Sequence, residues 1–195
     1  MRLNSKVGEW LLLIAPVSLV FCSFANTLGY GFVYDDRFQI VEAAPYLQDW
    51  HKENLARIFD RDIWGFFCQG MSWEGKTRTP YYRPVFALFV MLNYLYAGLN
   101  PFWWHLTAIL LHAFATALAY RLLLSSLKRA SAVDESEAPW LAMIGAAFFA
   151  VHPAQSESVA WLAAYVNALS AIFMLGAMLA YLGGEKLPGL EALKK

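Results

Sequence analysis

Charge is scarce in this chain. Lys, Arg, Asp and Glu make up 15% of its 195 residues, where a soluble domain carries about 25%. With 59% hydrophobic residues and a mean hydropathy of +0.41, there is too little polar surface to coat a water-soluble globule. The 15 cations and 15 anions cancel, so no global positive field exists to hold nucleic acid. Cysteine is nearly missing. Cys22 falls in an apolar run and Cys68 in a polar stretch, unlike settings that argue against a disulfide between them. No A-x-A-like cleavage site follows the short basic start at Arg2 and Lys6, so the first apolar run is expected to stay as an anchor. There is no internal repeat and no low-complexity tract. What remains is an all-α polytopic membrane protein forming a single membrane domain.

Four apolar stretches are long enough, or nearly so, to span about 30 Å of hydrocarbon. They cover about 10–29, 102–127, 139–152 and 159–182. Pro16 lies inside the first; in a bilayer, neighbouring helices can satisfy the carbonyl it frees. Asn100-Pro101 reads as an N-cap followed by proline at the first helical position. Trp103 and Trp104 then suit the headgroup zone. Ala160, Ala164 and Ala168 recur every four residues, a small-residue face for close helix packing. Between the first two spans lies a loop, 30–101. Its Asp35–Arg83 part holds seven of the cations and eight of the acids. Leu47 to Phe59 has an amphipathic pattern, with Leu47, Trp50, Leu55, Ile58 and Phe59 on one side. Cys68 to Pro80 reads as irregular. Residues 85–97, closed by Gly98, are apolar all round but short, which suits a helix lying at the membrane interface.

That interfacial reading sets the sidedness of the rest. With four spans, the basic amino terminus, the Lys128-Arg129 loop and the Lys194-Lys195 tail share one side. Asp35-Asp36 and the His152–Ser158 turn, which has no Lys or Arg, share the other. The positive-inside rule favours this arrangement over one in which 85–97 crosses.

Asp35 and Asp36 thus stand where the first helix exits, able to meet water, a metal or a sugar hydroxyl without lying among lipid tails. Paired acids in a loop are also simply solvated turns. Arg83 precedes Pro84 at the start of the interfacial segment. Its planar fork suits a phosphate, and equally an interface anchor or a partner for an acid such as Asp62. His105 and His112 are seven residues apart, hence on one helix face, about 10 Å apart along the axis. Interhelical hydrogen bonding is the simpler role for His112. His152 and Glu157 flank a tight turn, and Glu157 near a helix start is favoured by the dipole in any case. Asp35, Asp36, His152 and Glu157 have no metal-ligand spacing, and no metal is assigned. Asn167 and Ser170 lie one turn apart inside a span, where polar residues usually bond across helices.

Taken in order, Val33-Tyr34-Asp35-Asp36, Asp62-Ile63-Trp64-Gly65, Tyr82-Arg83-Pro84-Val85, Asn100-Pro101 with His105 and His112, and His152-Pro153 with Glu157-Ser158-Val159 resemble one family. It is that of the transmembrane and tetratricopeptide-repeat protein O-mannosyltransferases, within the GT-C superfamily. The resemblance runs from about residue 28 to residue 182. It implies transfer of a mannose-like sugar from a polyprenyl-phosphate carrier to a protein or glycan hydroxyl, in the endoplasmic reticulum or bacterial inner membrane. The active face is then luminal or periplasmic. Asp35 becomes the catalytic carboxylate with Asp36 beside it, tuning its proton affinity as a like charge. Arg83, His105 and His152 become the substrate-binding candidates, with His105 lining the donor cavity. Two departures stand out. Relatives carry Arg or Lys and then an acid where this chain has Tyr165, Val166 and Asn167, and full-length relatives continue with more helices and the repeats. A non-catalytic module that binds lipid or a partner protein is therefore the alternative.

Overall fold

The computed structural model describes residues 5–71, 80–130 and 133–184. Arg2, residues 72–79 of the irregular stretch and the Lys194-Lys195 tail lie outside the described residues. Helix α1 (Ser5–Phe24) runs on through a 3-10 turn, Ala25–Gly29. A π-helical turn (Arg37–Glu42) and short helices α2 (Ala44–Leu47), α3 (Lys52–Asp60) and α4 (Ile63–Phe67) follow. Then come α5 (Pro84–Ala97), α6 (Pro101–Leu127), α7 (Ala138–Val151), α8 (Gln155–Ala160), a 3-10 turn (Leu162–Ala164) and α9 (Tyr165–Gly184). Every regular element among the described residues is helical.

Three stretches are long and apolar enough to cross a membrane, Gly8–Gly29, Pro101–Leu127 and Leu162–Gly184. Helix α7 is as apolar but has only 14 residues. The chain is an all-α polytopic membrane protein. Pro16 sits buried inside α1, which stays helical through it. The start of α6 is built as the Asn100-Pro101 pair requires: the Asn100 side chain accepts the Phe102 N–H at 3.1 Å, with Pro101 at the position that needs no donor.

Contacts at the two ends of α6 fix the directions of the bundle. At its far end the Tyr120 hydroxyl donates to the Glu9 carbonyl at 2.9 Å, and Lys128 pairs with the Glu9 carboxylate. There the Arg121 guanidinium lies 5.5 Å from the Trp10 ring, and Arg129 donates to the Leu182 carbonyl. At its near end His105 meets Tyr30 edge-on at 6.0 Å, and the Tyr165 hydroxyl donates to the Trp104 carbonyl. Helices α1 and α7 therefore run one way and α6 and α9 the other. The chain leaves the bundle after Gly29 and rejoins it at Pro101, at the same end. Helix α5 packs there on α2, α3 and α4, and on the outer parts of α6 and α9. It is pinned to α6 through the Thr107 hydroxyl, 2.9 Å from both Asn93 Oδ1 and the Trp103 carbonyl. The Trp104 indole N–H, bonded at 2.9 Å to the Gly98 carbonyl, adds a second tie. Gly98 ends α5 with φ of +51°, a conformation that costs glycine little.

Three local expectations change. The small-residue face lies on α7, not on the last span. Ala138, Ala142, Ala146 and Ala150 are all fully buried, and three of them pack with Tyr120 and Leu124 of α6. Four alanines at four-residue spacing let the backbones approach closely. Ala160, Ala164 and Ala168 fall instead on three different elements. The last helix does not begin near Val159. Trp161 is extended (φ −101°, ψ 114°), and α9 starts at Tyr165. In a continuous helix the Ala163 N–H would bond to the Val159 carbonyl; here Asp36 accepts it. The Leu47–Phe59 helix is likewise broken at Gln48–His51. The Asn54 amide caps the break by donating to the carbonyls of Tyr46 (2.8 Å) and Asp49 (2.7 Å). Leu47 and Ile58 are buried, while Phe59 is exposed.

Candidate functional site

Beyond Gly29 the chain is extended, then turns sharply at Tyr34, whose φ of +46° is uncommon outside glycine. The turn is closed by the Asp36 N–H on the Val33 carbonyl (2.9 Å) and the Arg37 N–H on the Tyr34 carbonyl (3.1 Å). It sends the two aspartates to different places. Asp36 turns inward and is 0% exposed. Its Oδ2 accepts the Val33 N–H at 3.1 Å, and its Oδ1 accepts the Ala163 N–H at 2.8 Å, across 127 residues of sequence. Burial pushes its carboxyl up to about 6, against the pull of the N–H groups of Val33, Ala163 and Leu162 and with a push from the Asp35 charge.

Asp35 stays partly open. It lies on the wall of a cavity of about 290 Å³ between the first loop and the α8–α9 connection. Its carboxyl is also raised, by burial.

Arg83 and Glu157 line the same cavity, with Gln39, Trp64, Tyr81 and Trp161. Residues far apart in sequence are brought together by short ties. The Tyr81 carbonyl accepts the Ile63 N–H at 2.9 Å, which lays the Tyr81–Arg83 segment along the start of α4. Asp62 caps that start, accepting the Gly65 N–H at 2.8 Å. The Arg83 guanidinium sits 4.8 Å from the centre of the Tyr81 ring, a favourable cation–π contact. The result is a pocket with two carboxylates, one guanidinium and several aromatic faces.

Of the residues singled out from sequence, Asp35 and Arg83 meet on this cavity, and Asp36 lies behind its wall. His105 and His152 are not among its lining residues. His105 is 1% exposed and packs edge-on against Tyr30. His152 stays in its own turn, where Nδ1 accepts the Ala154 N–H at 3.2 Å and the ring abuts Phe148. His112 bonds from Nε2 to the Ala150 carbonyl at 3.0 Å, a tie between α6 and α7. Asn167 is exposed on the cavity wall rather than deep in a span, because the late start of α9 puts it in the first turn. Its Nδ2 lies 3.4 Å from Ser158 Oγ. Among the described residues no three His, Cys, Asp or Glu side chains gather as metal ligands.

Gln39 and Trp161 are the residues that sequence reasoning passed over. Gln39 follows Asp35 by four residues, one helical turn on, and that spacing was the available signal. Trp161 belongs to no pattern until the break before α9 is seen.

No family model matches the chain, and no solved structure matches it. Curated proteins do. It is 32% identical over 164 residues to protein O-mannosyl-transferase Tmtc1 of Drosophila melanogaster, covering 84% of this chain and 17% of that protein. It is 32% identical over 166 residues to protein O-mannosyl-transferase TMTC3 of Mus musculus, covering 85% and 16%. It is 33% identical over 168 residues to protein O-mannosyl-transferase Tmtc2 of Drosophila melanogaster, again covering 85% and 16%. The chain thus spans about one sixth of the length of these relatives.

Proposed function

The chain is a homologue of the amino-terminal membrane region of the Tmtc-type protein O-mannosyl-transferases, and from that premise we propose that its cavity is the acceptor-activating half of a GT-C-type glycosyltransferase site. The donor is a mannose-like sugar on a polyprenyl phosphate, and the acceptor is a protein hydroxyl. The cavity faces the lumen or periplasm, with α5 lying along the membrane surface beside it. The single observation that carries this reading is the meeting of Asp35, Arg83 and Glu157 on one cavity at the bundle end where α1 exits.

The chemistry is an inverting displacement. The acceptor hydroxyl oxygen attacks the anomeric carbon, forming the new glycosidic bond as the bond from that carbon to the phosphate oxygen breaks. The hydroxyl proton passes to the Asp35 carboxylate, and the bonding electron pair leaves on the phosphate, where Arg83 balances the charge. Burial that raises Asp35 makes it a better base once ionised. Asp36 does not reach the cavity. It holds the wall by bonding Ala163, so its role is to position.

The test is a transfer assay with polyprenyl-phosphate mannose in an active full-length form. Asp35→Asn should lower the rate by about 10²–10⁴-fold at matched protein level, the range for a lost general base. Near-full activity in that variant refutes the assignment. Carrier binding with no transfer in any form supports the non-catalytic lipid-binding module instead.

A further inference from the structure

Arg83 is half-buried and shares its cavity of about 290 Å³ with the carboxylates of Asp35 and Glu157. Among the described residues it nonetheless makes no ion pair. A guanidinium and a carboxylate within reach of each other form a bidentate pair, one of the strong polar contacts in proteins. The contact that the Arg83 guanidinium does make is with the Tyr81 ring, 4.8 Å from its centre. We infer that Tyr81 is a positioning residue: its ring holds Arg83 away from Asp35 and Glu157 and keeps the N–H fork open for the carrier phosphate.

The backbone places the ring. The Tyr81 carbonyl accepts the Ile63 N–H at 2.9 Å, and the Tyr82 N–H bonds to the Pro80 carbonyl at 3.1 Å. Pro84 disfavours the helical region for the residue before it, and Arg83 sits at φ −140° and ψ 63°. Tyr81 and Arg83 line the cavity while Tyr82 between them does not, the alternation of extended chain. The Tyr81 ring is 48% exposed, so core packing does not account for it. An aromatic face attracts a cation without supplying an oxygen, so the N–H donors of Arg83 stay available. A carboxylate would take two of them and cancel the charge, and an arriving phosphate would first have to break that pair. The Asp35 carboxyl is raised by burial, the direction opposite to what pairing with arginine would impose. One ring thus serves two groups: Arg83 stays open to an anion, and Asp35 stays basic.

This inference rests on the proposed binding of a carrier phosphate, and the experiment separates the two. The 195-residue chain is placed in lipid nanodiscs, and Kd is measured for polyprenyl-phosphate mannose. Tyr81→Leu should weaken binding by about three- to tenfold, since a half-buried ion pair must first be broken. Tyr81→Phe keeps the ring face and should restore the affinity. The deciding measurement repeats Tyr81→Leu in an Asp35→Asn, Glu157→Gln background, which leaves no carboxylate on the cavity to capture Arg83. There it should cost about twofold or less, whereas a ring that only packs would cost the same in both backgrounds. If Tyr81→Leu does not fold, Tyr81→Gln, polar and suited to a half-exposed position, takes its place. A wild type that binds the carrier while Tyr81→Leu keeps full affinity, or loses as much in the neutral background, overturns the inference and leaves the function standing. A wild type that does not bind the carrier overturns both.

Discussion

Asp36 offers a test in which stability should move with pH. The perturbation is Asp36→Asn, nearly isosteric and unable to ionise. The folded-state carboxyl is at about 6, against a reference value of 3.8. The native state therefore keeps its proton between about pH 4 and pH 6, where the unfolded chain has released it. The stability this gives is present in full below about pH 4, fades as pH rises through 6 and is gone above. A shift of about two units at about 1.4 kcal/mol per unit makes the loss about 3 kcal/mol. Asparagine, like the protonated acid, carries no charge, but its amide oxygen accepts from only one of the Val33 and Ala163 N–H groups and its NH2 faces the other donor, which costs about 1–3 kcal/mol. Asp36→Asn should fall about 1–3 kcal/mol below the wild type near pH 4 and regain about 3 kcal/mol on it by pH 7.5. In a protein of this size each kcal/mol moves the midpoint by about 2–4 °C. Thermal unfolding in one detergent at both pH values reads the difference directly. Asp36→Ala is the control: it strips both N–H groups of an acceptor and should destabilise at either pH. A difference between Asp36→Asn and the wild type that is the same at both pH values would refute the reasoning, because it would mean that burial does not raise the carboxyl.

Removing the guanidinium by Arg83→Gln should weaken polyprenyl-phosphate binding by about 10- to 100-fold, the worth of a charge-assisted bond, with Arg83→Lys between; an unchanged Kd would leave Arg83 as an interface anchor. In a Cys22→Ser, Cys68→Ser background, single cysteines at Ala130 and Gln155 should react with impermeant reagent from opposite sides; labelling from one side would sink the four-span topology. Ala146→Leu forces a larger side chain into the α6–α7 seam and should cost about 1–3 kcal/mol, read as a lower thermal midpoint, while Ile144→Leu on the exposed face should be neutral.

What could be read from the sequence was what depends on neighbouring residues. The α6 start, the α5 limits and the apolar spans follow from caps, prolines and length, all of them local. Asp35 and Arg83 could be named because each sits at a helix boundary. The different fates of Asp35 and Asp36 could not be read, because the partner of Asp36 is the N–H of Ala163, set by the fold. The break at Trp161 escaped for the same reason, since the acceptor that replaces the helical bond comes from the first loop. Glu157 had a sufficient role at a helix start, so nothing local singled it out for the cavity. The alanine seam of α7 was visible in its spacing, yet only packing tells it from the similar spacing at Ala160, Ala164 and Ala168.

In the proposed four-span arrangement, the brevity of α7 has a mechanical consequence for the lipid around it. Fourteen residues make a rod about 21 Å long, some 9 Å short of the hydrocarbon thickness. Trp140, exposed in its first turn, holds that end at the headgroup level. The deficit therefore falls at the opposite end, at His152 and the α8 turn bearing Glu157. A bilayer meets such a mismatch by dimpling, so the leaflet on the cavity's side would sink beside α8.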